Sequence, residues 1–297
     1  MPEEWESFKF AISHGAELTT VQHIAHVESA RRIIQDGRIK AGLVYDQSKL
    51  NKYRISVAWV SANSWALGSI YGTVEFQFSW ADLVAGRNLY WVEAMTNYNP
   101  TAFRLLLSAR DITRVARYNP MTDDGPLQLR NGTYYWNGNY TSEFMIEDDL
   151  SLDRCTGIRF VAHHQQYCSP IGNSCEDLKA RPSSQRTGGR MLSFILGADL
   201  HDVDQHLTAQ GIPQSELDTA YQGLKDDLAN TVTFGGPLGS DQSCQAAVRG
   251  ALALYGMDQI DQARRLLSKL TSKAHFTKAL TTIVRSHFSD PTWKPKP

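Results

Sequence analysis

Through the first half of the chain, apolar residues come in short runs that either alternate with polar ones or are β-branched and aromatic. That spacing predicts strands. Ile55-Ser56-Val57-Ala58-Trp59-Val60 has strand composition, and Thr73-Val74-Glu75-Phe76-Gln77-Phe78 alternates at period two. Further strands are expected over 18–22, 89–94, 141–146 and 157–162, while 100–107 fits a helix or a strand. Residues 27–36 break the pattern: Val27, Ala30, Ile33 and Ile34 fall on one helical face, and Gly37 follows as a C-cap.

The stretch from 118 to 140 is rich in Asn, Gly, Asp and Pro, with Tyr134, Tyr135, Trp136 and Tyr140 interleaved, and is expected to be a long aromatic loop. Residues 169–190 are Ser, Pro, Gly and Arg with little apolar content, which predicts a linker or mobile crossover. Beyond it the apolar spacing turns helical, at Leu217, Tyr221, Leu224 and Leu228 and then over 246–255, 260–270 and 276–288. No second copy recurs at a fixed period, so a helical repeat array is not expected. The organisation expected is a mixed sheet domain over 1–168, a linker over 169–190 and a helical domain over 191–297.

With 297 residues, 42% of them hydrophobic, the chain can bury a sizeable core. Its 30 Lys and Arg nearly balance 31 Asp and Glu, so no chain-wide field draws in nucleic acid or an anionic membrane, and any basic surface must be local. No apolar run approaches the roughly 20 residues that span a bilayer. The opening Met1-Pro2-Glu3-Glu4-Trp5-Glu6 is acidic where a secretory signal is basic and then apolar, so a cytoplasmic protein without membrane contact is expected. Four cysteines are too few for a disulfide scaffold. Cys155, Cys168 and Cys175 do cluster around His163 and His164, but without the paired Cys-x-x-Cys spacing of a zinc site, and no metal is expected.

The candidate chemistry is an ordered polar set: His23 within Gln22-His23-Ile24-Ala25-His26, then Arg54, Ser61, Tyr71 and Glu143. Cleaving the bond between nicotinamide and ribose builds positive charge on the sugar, which a nearby carboxylate stabilises more in the transition state than in the ground state. Glu143, beside Phe144-Met145-Ile146, is expected to be partly desolvated, with Glu147, Asp148 and Asp149 solvated. His23, at the end of the first strand, offers a donor and an acceptor to a ribose hydroxyl or diphosphate. Tyr71 can stack on a flat heterocycle, and Arg54 has a planar fork suited to phosphate. Each residue also has an ordinary structural role open to it: an outward glutamate on a strand edge, a core histidine or tyrosine, a surface arginine.

Three of these blocks carry a resemblance over residues 21–168. The Gln22-His23-Ile24-Ala25-His26 opening with its helix and Gly37, Arg54 before a strand, and Ser142-Glu143-Phe144-Met145-Ile146 together resemble the DarT-type nucleic-acid ADP-ribosyltransferases. The resemblance implies an α+β fold, an ADP-ribosyltransferase-like split β-sheet domain followed by a mostly helical C-terminal region. It also implies that NAD is consumed without a metal, that His23, Ser61 and Tyr71 bind it, that Arg54 contacts it near the reaction centre, and that Glu143 is the catalytic glutamate. Two departures stand out: Gln22 replaces the family's tyrosine, and its Arg-Arg and proline-rich segment shrinks here to Lys52-Tyr53-Arg54.

The helical second domain and the Trp59-Val60-Ser61-Ala62-Asn63-Ser64-Trp65 segment are most similar to toxins of anti-phage toxin–antitoxin–chaperone systems that modify messenger RNA. On that reading the acceptor is a base in single-stranded RNA, and an antitoxin or chaperone is a partner. Tyr134, Tyr135, Trp136 and Tyr140 would stack unpaired bases at about 1–3 kcal/mol each. Arg110, Arg114, Arg117 and Arg130, with Arg181, Arg186 and Arg190, would track phosphates. Single-stranded DNA or a protein side chain are the other acceptors. The alternative of another class is an inactive module that binds NAD or a partner.

Overall fold

The computed structural model describes residues 15–44, 47–63, 71–72, 74–161, 193–194, 196–197, 207–208, 218, 221–257, 259–287 and 292–295. They form an α+β protein whose C-terminal part is helical. Two compact units divide it, one of Met1–His23, Ile33–Trp65 and Phe76–Gly157, the other of Ile24–Arg32, Ala66–Glu75 and Ile158–Pro297. The division follows no single cut in the chain. Among the described residues no helix is long and apolar enough to cross a membrane.

The first unit is built on a five-stranded sheet of order β4 (Val57–Val60), β11 (Thr141–Glu147), β7 (Ala102–Ser108), β6 (Asn88–Met95) and β8 (Ala116–Tyr118). β11 runs parallel to β7, and the other neighbours are antiparallel. The ambiguous 100–107 segment is therefore a strand, and all seven residues of β7 are buried. A strand covered on both faces reads as a continuous apolar run, which is why period alone did not separate it from a helix. One face packs Val57, Tyr90, Val92, Leu106 and Met145 against Leu50 of α2 (Lys49–Lys52). Ser48 caps that short helix by accepting from the Leu50 amide.

The other face is aromatic. Phe144 meets Trp80 of α3 (Trp80–Val84) at 4.5 Å between ring centroids and Trp136 at 5.2 Å, while Phe103 meets Tyr140 at 4.9 Å and Trp91 at 5.5 Å. Trp136 belongs to β10 (Thr133–Asn137), which pairs with β9 (Leu127–Arg130) and β1 (Gly15–Glu17) in a three-stranded sheet. The expected long loop over 118–140 is thus largely a hairpin. Arg130 opposes Thr133, leaving Asn131 and Gly132 as a two-residue turn with φ of 50° and 81°. Both central residues of a type I′ turn need positive φ, and Asn-Gly is the pair that adopts it at least cost.

A smaller pairing joins β3 (Arg38–Ile39) to β12 (Leu150–Ser151). A four-stranded sheet has the order β14 (Leu207–Thr208), β13 (Cys155–Phe160), β5 (Val74–Ser79) and β2 (Thr20–Ala25). Helix α1 (Val27–Asp36) follows β2 as its apolar spacing predicts, with Val27, Ala30 and Ile34 buried. Gly37 ends it at φ 66°, a left-handed C-cap.

The second unit's core is helical. Val248, Leu252 and Tyr255 of α4 (Asp241–Gly256), Leu267 of α5 (Ile260–Leu267) and Phe276, Leu280 and Ile283 of α6 (Lys273–His287) close around Tyr221, Leu224 and Leu228. Ser240 caps α4 by accepting from the Ser243 amide, and the buried Arg31 donates to the Gly256 carbonyl at its other end. Both contacts satisfy backbone groups that a helix leaves orphaned at its termini. Glu75, fully buried, is matched by Arg159 at 2.6 Å.

Candidate active site at the junction of three strands

His23 lies inside β2, which runs to Ala25, rather than after the end of a strand at Gln22. The strand is carried past that point by Gln22, whose backbone exchanges two 2.8 Å hydrogen bonds with Ser61, at the end of β4. The Gln22 amide nitrogen also reaches the Ser61 and Asn63 carbonyl oxygens, at 2.8 and 3.0 Å. Gln22 therefore joins β2 to β4 through its backbone, and its side-chain amide adds two further bonds to the same segment. One residue on, His23 Nδ1 donates to the Trp59 carbonyl at 2.8 Å. That bond selects the tautomer and leaves Nε2 as an acceptor. Burial holds the imidazole below its ordinary pKa of 6.5, and the Trp59 carbonyl, which favours the protonated ring, opposes the shift without reversing it.

From Ser61 the junction continues into β11. The Ser61 and Ser142 hydroxyls are 3.2 Å apart, the Ala62 amide donates to Ser142 Oγ at 2.6 Å, and the Ser142 amide donates to Asn63 Oδ1 at 3.2 Å. The next residue is Glu143. His23, Ser61 and Glu143, separated by scores of residues in sequence, are thus gathered by consecutive contacts of β2, β4 and β11.

Glu143 does not point outward from an edge, because β11 lies between β4 and β7. Its Oε2 accepts from Arg104 Nε at 2.6 Å, and the Arg104 side chain is only 1% exposed. Strand register explains the pair: Glu143 opposes Arg104 on β7, and Arg104 opposes Glu93 on β6. Arg104 Nη1 accordingly reaches Glu93 Oε1 at 3.1 Å, and Ser48 Oγ donates to the same oxygen at 2.6 Å. The guanidinium lies over the Trp59 ring, 5.1 Å from its centroid. A row of two carboxylates around one buried guanidinium, walled by an indole, crosses the centre of the sheet.

The sequence does not single out Arg104 or Glu93, although a signal is present. Ala102-Phe103-Arg104-Leu105-Leu106-Leu107 places one charge in an apolar run. A buried strand cannot hold an arginine without a partner, so the run itself implies an acid nearby. Glu147 is another correction: expected to be solvated, it is buried and bonded to Ser108 and Arg110, and only Asp148 and Asp149 are exposed.

Arg54 is exposed and occupies a left-handed position, φ 56°, where its amide donates to the Asn51 carbonyl at 3.0 Å and the chain leaves α2. The guanidinium bonded to Glu143 is that of Arg104. Tyr71, in the second unit, is 51% exposed. It precedes Gly72, whose φ is 139° and whose position leaves no room for a side chain, since a Cβ would stand 2.2 Å from the Ala25 carbonyl carbon. That close approach fixes Tyr71 beside the backbone of Ala25 and His26.

The aromatic set is split by the pleat. Trp136 is buried against Phe144, with its Nε1 donating to the Tyr140 carbonyl at 2.9 Å. Tyr134 meets Trp80 edge-on at 5.6 Å, Tyr140 meets Phe103, and Tyr135 lies under the Arg130 guanidinium at 5.8 Å. Phe144 and Phe103 alternate with Glu143 and Arg104, so the rings that pack on them lie on the face opposite the charged row. A cavity of about 450 Å³ opens on the aromatic side, lined among others by Glu17, Thr20, Gln22, Asn63, Trp136 and Tyr140. Neither His23 nor Glu143 lines it.

Among the described residues no three His, Cys, Asp or Glu side chains converge to hold a metal ion. Cys155 is buried, donates to the Gly157 carbonyl, and has its thiol pKa pushed up to about 11 by burial. Cys168, Cys175, His163, His164, Trp65, Arg181, Arg186, Arg190 and the expected linker over 169–190 lie outside the described residues. No family model, curated protein or solved structure gives a significant match to this chain.

Proposed function

We propose that the chain is an NAD-dependent ADP-ribosyltransferase that transfers ADP-ribose to a base of single-stranded nucleic acid, RNA in preference to DNA, and acts as a toxin or defence effector. The observation behind the reading is the placement of His23, Ser61 and Glu143 on three strands joined by the Gln22–Ser61 and Ser61–Ser142 contacts. Those are the residues that the DarT-type resemblance assigns to NAD and to catalysis. In this reaction the bond from ribose C1′ to the nicotinamide nitrogen breaks, its electron pair leaves on nicotinamide, and an acceptor amine nitrogen bonds to C1′ and loses one proton. Glu143 stabilises the cationic sugar and receives that proton. His23 Nε2, as an acceptor, holds a ribose hydroxyl. Arg54 takes the contact to the cofactor that the resemblance gives it. An antitoxin or chaperone would be the protein partner.

The experiment incubates wild type and Glu143→Ala with labelled NAD and, separately, single-stranded RNA, single-stranded DNA and cytosolic protein. Label on RNA, lost in the variant, is the expected result. Label on DNA or on protein alone replaces the acceptor, and no turnover of NAD in any mixture overturns the reading.

A second reading, a module that binds NAD or a partner without reacting, has one observation in its favour. The Glu143 carboxylate is already paired with Arg104, and it stands apart from the 450 Å³ cavity. NAD binding without nicotinamide release would establish that reading.

A further inference from the structure

We infer that Glu93 and Arg104 are positioning residues for Glu143: Arg104 fixes the carboxylate, and Glu93 supplies the second negative charge that keeps the row net anionic. The inference rests on the ADP-ribosyltransferase reading and adds to it two residues that neither the sequence pattern nor the resemblance identifies.

A guanidinium bonded to one carboxylate makes a neutral pair, and a neutral pair does little for a developing cation. Arg104, however, bridges two carboxylates, Glu143 through Nε at 2.6 Å and Glu93 through Nη1 at 3.1 Å. One positive and two negative charges leave a single net negative charge in the row. The bridge is almost sealed from water, with Arg104 1%, Glu143 12% and Glu93 14% exposed at the side chain. In such surroundings a charge acts with less screening than it would at the surface.

Position is settled by the same contacts. Arg104 is held from above by the Trp59 ring at 5.1 Å, and Glu93 is held from the α2 side by Ser48 Oγ at 2.6 Å. Backbone register puts the three charged residues in one line across β11, β7 and β6. The carboxylate that meets substrate is therefore set by a chain of contacts ending at Ser48. A hydrophobic residue in place of such a buried bridge often serves stability as well or better, so stability alone gives weak reason for the arrangement.

The decisive variant is Glu93→Gln, which keeps shape and hydrogen bonding to Arg104 and Ser48 while removing the charge. Nicotinamide release is followed with the full chain, NAD and single-stranded RNA, alongside wild type, Glu143→Gln, Glu93→Asp and Ser48→Ala, each checked by thermal melting. The expected result is a fall in kcat for Glu93→Gln on the order of tenfold with KM for NAD little changed, since the interaction lost is one that strengthens in the transition state. Glu93→Asp is expected to restore part of kcat. Ser48→Ala leaves the charge in place but loosens it, and a fall of about twofold in kcat is expected from it even if Glu93→Gln does not fold.

Wild-type kcat in folded Glu93→Gln overturns the inference while Glu143→Gln remains inactive. With Glu93→Gln unfolded, wild-type kcat in Ser48→Ala does the same. A loss expressed only in KM overturns it as well, because Glu93 would then serve binding. A wild type that releases no nicotinamide overturns the functional reading itself, and the inference with it.

Discussion

The two faces of β11 differ in what covers them. On one, Phe144 is clamped between Trp80 and Trp136 with no charged partner in the cluster. On the other, Glu143 begins a line of three charges that is nearly as well buried. Adjacent residues of a single strand thus meet different surroundings, Phe144 an aromatic cluster and Glu143 a charged row beside the apolar packing of Met145 and Leu106. Trp136 is buried in the aromatic cluster while Tyr134, Tyr135 and Tyr140 stay half-exposed around it, and the other face is marked by a charge in an apolar run.

Substitutions on the two faces should therefore differ in their ratio of activity loss to stability loss. The largest effect is expected from Glu143→Ala, which removes the carboxylate that the proposed reaction sets against the developing cation. Transfer measured with labelled NAD should drop about a thousandfold or more, roughly 4 kcal/mol of transition-state stabilisation, and the melting temperature should fall as well, because the buried Arg104 loses one of its two carboxylates. Next comes Trp136→Ala on the aromatic face. Truncating a large buried ring should cost about 3–5 kcal/mol of stability in denaturant titrations. Activity per folded molecule should hold if the ring serves packing alone, and a specific loss of RNA transfer would support the stacking role expected of it.

A smaller effect belongs to His23, where pH is the probe. Its pKa in the folded chain lies below the ordinary 6.5, so between those two values the unfolded chain binds the extra proton. Stability must then rise with pH across that window and be lost as pH falls through it. His23→Gln should flatten that part of the curve in melts taken from pH 7 to pH 5, and an unchanged slope would mean that another group titrates there. Cys155, with a thiol pushed up to about 11, should stay unalkylated in native protein at pH 8 while reacting after denaturation, as mass mapping would read. The smallest expected effect is Tyr135→Ala, whose stacking under Arg130 is worth about 0.5 kcal/mol at a partly exposed site. A loss of transfer far beyond that would give Tyr135 a share in acceptor binding.

Local patterns were legible where one face of an element decides its residues. The helix over 27–36 with Gly37, the alternating strand over 73–78 and the strands at 89–94 and 141–146 are found in place or within a few residues. The strand over 100–107 was ambiguous because burial on both faces erases the period. The stretch from 118 to 140 misleads for another reason: Asn and Gly raise loop composition, yet Asn131-Gly132 does so by making the tightest hairpin turn. For the site, His23, Ser61 and Glu143 are bound together by long-range pairing that no local window contains. Arg104 and Glu93 were harder still, since what places them is strand register, and register is a property of the assembled sheet.

The place of β11 also fixes when the site can exist during synthesis. It occupies the slot between β4 and β7, two strands that precede it in the chain by dozens of residues. A nascent chain that has made both still has an open gap in its main sheet, with the edges of β4 and β7 facing each other unpaired. The same segment that fills the gap brings in Glu143, so closure of the sheet and arrival of the carboxylate are one event. A truncated product ending before residue 141 would carry His23, Ser61 and Arg104 without Glu143, so the charged row is completed only when the strand that closes the sheet has been made.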